Sequence, residues 1–77
     1  QVESAAPNEQ LLAVDAALDQ LALEEPRAAE VVQLKYFAGF TMRETAEALG
    51  IAERTAHRLW SFARAWLRRE IERDLAE

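Results

Sequence analysis

Residues 41–60 read TMRETAEALGIAERTAHRLW. Thr41-Met42-Arg43-Glu44 has the spacing of a capping box: the Thr41 hydroxyl accepts from the amide of residue 44, and the Glu44 carboxylate accepts from the amide of residue 41. A short helix over 42–49 follows and stops at Leu49-Gly50, because glycine reaches positive φ without steric cost. A second helix begins near Glu53, and nothing breaks it until close to the end of the chain. A short capped helix, a glycine turn and a longer helix form the grammar of a helix-turn-helix. Ala46 stands where the two helices would cross, and its small side chain permits close approach. Leu49 and Ile51 flank the turn as candidate core plugs. A plain corner of a helical bundle has the same spacing, so both readings stay open on spacing alone.

Toward the N-terminus, Leu11, Leu12, Val14, Leu18, Leu21 and Leu23 give a largely helical apolar stripe after Asn8, a good N-cap. The spacing predicts a helix over about 9–22. Glu24-Glu25-Pro26 breaks it, since proline suits the first turn of a new helix and acids suit its positive end. That helix is expected over about 26–38, with Gly39 as its stop. Residues 1–7 are expected to be a flexible segment and 8–77 one domain. The fold class is all-α, a compact four-helix domain with a C-terminal helix-turn-helix.

Composition agrees. The 77 residues are 51% hydrophobic, too apolar for a chain disordered throughout, and rich in helix formers with few glycines and prolines. Without cysteine there is no disulfide framework and no thiolate metal site, which suits a reducing cytoplasm. No apolar run approaches the roughly 20 residues that span a bilayer, so no membrane role is expected. Opening at Gln1 without Met, the chain reads as a processed product or a piece of something longer.

The net charge of −5 conceals a division. Arg27, Lys35 and Arg43 are the only basic residues before Gly50, against nine acids. Between 53 and 69 five arginines face Glu53 alone. On a helical wheel Ala56, Leu59, Trp60, Ala63, Trp66, Leu67 and Ile71 form a core face. Arg54, Arg58, Ser61, Ala65, Arg68 and Arg69 gather opposite, with His57 and Thr55 on the flanks. In a helix-turn-helix the first turns of the second helix enter the major groove, where arginine pairs with guanine or grips phosphate. Thr55 and Ser61 can donate to phosphate or read a base edge. Arg68 and Arg69, roughly 15 Å further along the axis, reach backbone phosphate or nothing. The helix dipole does not favour Arg54 and Arg58 near an N-terminus, which argues for a functional reason. Both tryptophans are expected in the core, and Phe62, between the faces, at its edge.

Catalysis is not expected. His57 is the lone histidine, no carboxylate obviously orients it, Ser61 is its only nearby nucleophile, and no glycine-rich phosphate loop or cofactor motif appears. No cofactor and no metal are expected.

The segments LEEPRAAEVVQLKYFAGFT, ETAEALGI and RTAHRLWSFARAWLRR, in this order and spacing, resemble region 4 of bacterial sigma factors of the sigma-70 family. The resemblance is closest to the extracytoplasmic-function group and covers about residues 11–71. It implies recognition of the promoter −35 element in transcription initiation, as part of RNA polymerase holoenzyme in the cytoplasm. It also implies a second surface for the flap of the polymerase β subunit, and anti-sigma factors that occupy these surfaces. By position, Arg54, Thr55, His57, Arg58 and Ser61 fall on the recognition helix, and Thr41, Arg43 and Glu44 at the start of the supporting helix, near phosphate. The sequence departs from the family at Ala52, where a capping Ser is usual, and at His57, Leu59 and Ser61, where more polar or basic residues are frequent. Two other functions fit the residues. One is a docking module for polymerase or an anti-sigma factor with little DNA binding of its own. The other is the DNA-binding output domain of a response regulator.

Overall fold

The longest helix, Glu53–Ala76, is the spine of the structure. The computed structural model describes the backbone of residues 5–76 and the side chains of 12–73. The described residues are helical with no strand: α1 is Ala5–Glu24, α2 is Pro26–Val32 running into a π-helical turn at Gln33–Phe37, α3 is Met42–Leu49, and α4 is Glu53–Ala76. The 24 residues of α4 span about 36 Å, which sets the long dimension of a body measuring 43 × 23 × 16 Å.

Helix α1 begins earlier than expected. Ala5–Pro7 are already helical, so Asn8 lies inside the helix and is not its N-cap; the rest of the expected flexible segment, residues 1–4, lies outside the described residues. The buried stripe of α1 also differs in part from the leucine pattern. Leu21 is buried and Val14 and Leu18 are half-buried as the pattern expects, Ala13 and Ala17 face inward beside them, and Leu12 and Leu23 are 70% and 79% exposed. Leu11 lies outside the described side chains. Leu12 and Leu23 lie on the side of Asp15 and Asp19, opposite Leu21, so the leucines alone do not select one inner face. The structure selects the alanine row, which lets the axis approach α4 closely.

Glu25 breaks α1 from α2, with φ −139°, and Pro26 occupies the first turn of α2, where a missing amide proton costs nothing. Ala28, Ala29, Val31 and Val32 are buried. Beyond Val32 the expected α-helix widens into the π turn, where the Ala38 amide donates to Gln33 O at 3.0 Å. Gly39, at φ 78°, then releases the chain, as expected.

The helix-turn-helix forms as the sequence predicts. The Glu44 amide donates to Thr41 Oγ1 at 3.0 Å, and the Thr41 amide donates to Glu44 Oε1 at 2.8 Å. Thr45 is fully buried, and its hydroxyl donates to Thr41 O at 2.9 Å. At the other end Gly50 takes φ 68°, ψ 35°. Its amide donates to Glu47 O, and the Ile51 amide donates to Ala46 O at 3.0 Å. This pair of bonds is a Schellman motif, which satisfies the last carbonyls of α3 and turns the chain toward α4.

Two buried clusters hold the helices together. Leu21, Ala28, Ala29, Val32 and Ala63 join α1, α2 and α4. Met42, Ala46 and Ala56 join α3 to the first turn of α4, with Ile51 against them. Trp60 packs against both. Leu59, Trp66 and Leu67 complete the first cluster, so the core face expected for α4 is the one observed. Phe62 departs from expectation: it is 41% exposed and belongs to the outer surface.

A Cβ placed on Gly50 would meet nothing within 4 Å, so substitution there costs only backbone strain. Gly50→Ala should lower stability by about 1–2 kcal/mol in urea unfolding, and Gly50→Asn by less, because asparagine tolerates the left-handed region. Equal losses from the two would contradict this account.

Candidate nucleic-acid interface

The capping box orients the first turn of α3. Thr41, Arg43 and Glu44 are all exposed there. The Glu44 carboxylate is engaged by the Thr41 amide, and Thr41 Oγ1 accepts one bond while its own proton stays available to an outside acceptor. Arg43 lies 3.7 Å from Glu47 on the same helix. Both side chains are well exposed, so this contact is a weak tether, readily exchanged for a phosphate.

The Schellman turn then delivers α4 with its outer side to solvent. Arg54, His57, Arg58 and Ser61 are exposed and Thr55 is half-buried, on the first three turns of α4. The structure thus brings the eight candidate residues to the start of α3 and the N-terminal half of α4. His57 lies 3.7 Å from Glu53, again between exposed side chains. Among the described residues, Arg27, Arg43, His57 and Arg73 have a carboxylate within ion-pair distance, whereas Arg54, Arg58, Arg64, Arg68 and Arg69 have none. The unpaired arginines therefore all belong to α4. Their positive field is not cancelled locally, and a field of this kind attracts anions before contact.

Sequence reasoning missed two features. Arg64 falls between the faces of the helical wheel, and its guanidinium sits 6.0 Å from the centroid of the Trp60 ring. A hollow of about 280 Å³ opens between α1, α2 with its π turn, and α4, lined by Val14, Leu18, Val32, Tyr36, Phe37, Trp60, Arg64 and Leu67. Tyr36 and Phe37 stand at 73% and 57% exposure and meet edge to face with centroids 5.4 Å apart. The adjacent aromatics Tyr36 and Phe37 were the available signal, and the π turn in which they stand is not legible from the sequence.

Together, a Schellman-turned helix pair and an uncompensated arginine face define a helix-turn-helix domain of the DNA-binding class. The family model described as ECF sigma factor matches residues 1–73, and the chain belongs to that family. The four helices agree with a sigma-70 region 4 domain of that group. The protein is a sigma factor acting in transcription initiation, with RNA polymerase and promoter DNA as the partners that membership implies. Comparison with curated proteins and comparison with solved structures each return no match. Among the described residues, no helix is long and apolar enough to cross a membrane.

Because the Thr41 and Glu44 bonds are reciprocal, Thr41→Ala should cost about 1 kcal/mol, and adding Glu44→Ala should cost less than the sum of the single losses. Urea unfolding of the double-mutant cycle tests this coupling; strictly additive losses would mean that the two bonds act independently.

Proposed function

We propose that the first turns of α4 read the promoter −35 element. The single observation that carries this reading is the exposed pair Arg54 and Arg58, without an ion-pair partner among the described residues, presented at the start of the second helix of a helix-turn-helix. Either arginine can make the bidentate contact to guanine that the major groove offers. Thr55, His57 and Ser61 supplement them from the same turns. At the start of α3, the Thr41 hydroxyl and Arg43 meet the phosphate backbone, with Glu44 holding the cap that aims them. The work is binding rather than catalysis, and it takes place in the cytoplasm, where polymerase and DNA are.

A second surface serves protein. The hollow beside Tyr36 and Phe37 is mostly apolar, with Arg64 at its α4 side, and Arg54 and Arg58 do not line it, which supports docking of the polymerase β flap there. An anti-sigma factor covering the same groove would silence the protein. DNA and polymerase can then be held at once.

Arg54→Ala and Arg58→Ala should each weaken binding to a cognate promoter duplex by about 1–3 kcal/mol in fluorescence anisotropy, with the helical circular dichroism unchanged. Unaltered affinity in both variants would remove the recognition-helix assignment. Tyr36→Ala with Phe37→Ala should reduce capture of core RNA polymerase at least severalfold while leaving DNA affinity intact. Full capture by that variant would dismiss the groove as the polymerase site.

A further inference from the structure

Arg64 has no part in the reading face proposed above, yet it is the arginine of α4 whose side chain rests on an aromatic ring. Its guanidinium lies over Trp60, whose negative π face attracts a cation. Trp60 is itself held between the two core clusters, so Arg64 is oriented from beneath. On the outer side of α4, Arg64 shares a shallow hollow of about 270 Å³ with Ser61, Ala65 and Arg68. These positions follow helical spacing and lie along one strip of the surface. Ala65 leaves room between the longer side chains.

The groups lining that hollow are two guanidiniums and a hydroxyl. Among the described residues, neither arginine has a carboxylate within ion-pair distance, and the Ser61 hydroxyl makes no hydrogen bond to the protein. Uncompensated donors converging on one hollow suit an oxyanion with several acceptor oxygens, such as a phosphodiester.

Position along the helix identifies which phosphodiester. Arg64 and Arg68 follow Arg54 by ten and fourteen residues, about 15 and 21 Å along the axis. The major groove is about 12 Å wide. A helix that enters the groove N-terminus first, rather than lying along its floor, carries Arg64 and Arg68 beyond the groove edge, where the sugar-phosphate backbone lies. Fourteen residues is close to a whole number of turns, so Arg68 stays on the side of α4 that Arg54 presents to DNA.

We infer that Ser61, Arg64 and Arg68 form a sequence-independent clamp on the DNA backbone flanking the bases read by Arg54 and Arg58. The clamp rests on the proposed entry of α4 into the major groove. It assigns Ser61 to phosphate rather than to a base. It also makes Trp60 a positioning residue for DNA binding, acting through Arg64.

The test uses the chain with two fluorescent duplexes, the best binder selected from a random-sequence library and an unrelated duplex of equal length, titrated over a range of salt. Arg64→Ala and Arg68→Ala should weaken both duplexes by the same factor, and each should lower the slope of log affinity against log salt by about 0.9. Arg64→Lys should keep the slope, because the charge remains. Arg69→Ala removes an equal charge outside the hollow and should leave the slope nearly unchanged. Arg54→Ala and Arg58→Ala should instead erode the preference for the selected duplex. If Arg64→Ala and Arg68→Ala leave slope and affinity unaltered while Arg58→Ala weakens binding, the clamp is wrong and the −35 reading stands. If Arg64→Ala and Arg68→Ala act as expected while Arg54→Ala and Arg58→Ala leave the preference intact, the phosphate contact holds and the base-reading assignment falls. A slope loss from Arg69→Ala equal to that from Arg64→Ala would reduce the effect to net charge and overturn the clamp. Loss of core polymerase capture in Arg64→Ala without any change on DNA would make the hollow a protein contact and overturn it as well.

Discussion

The packing of Trp60 against both halves of the core is the constraint on which the other features depend. One cluster fastens α4 to α1 and α2, and the other fastens it to α3. Trp60 meets both, and an indole brings more apolar area to such a junction than any other side chain could. If the junction slipped, the angle between α3 and α4 would change with it. The outer face of α4 is therefore aimed from the inside. Ala46, Ala56 and Ala63 complement the large ring: they are almost wholly buried and keep the helices near enough for Trp60 to bridge them.

Charge is arranged around that frame with a clear division. Acids dominate the first two helices, while the arginines without a partner among the described residues are confined to α4. An acidic body repels a polyanion everywhere except at the arginine face, so the same distribution that lowers the net charge also orients the encounter. The exposed pairs of Arg43 with Glu47 and His57 with Glu53 are weak enough to exchange for contacts with a ligand.

The π turn after Val32 adds a second surface. An α-helix continued through residue 38 would have kept one side-chain register. The widened turn gives a different one, with Leu34 and Lys35 half-buried and Tyr36 and Phe37 standing outward beside an apolar hollow. Such turns inside helices are uncommon and are often found at functional sites. With this hollow on one flank of α4 and the arginines on another, a single helix contributes to both proposed surfaces, and Arg64 lies between them.

Local chemistry alone determined a good part of this protein. The Thr41–Glu44 box, the Gly50 turn, the proline start of α2 and the inward face of α4 are each set by residues within a turn or two of one another, so they were legible in the chain. The family resemblance rested on the same segments, and membership bears it out. What required the tertiary structure was any choice among locally equivalent options. The leucines of α1 fall on opposite sides of the helix, so its packing against α2 and α4 selected Leu21 with Ala13 and Ala17 over Leu12 and Leu23. Phe62 lay between two faces, and only the completed core left it outside. The hollow beside Tyr36 joins α1, the π turn and α4, residues far apart in sequence, and no periodicity within one helix encodes such a meeting.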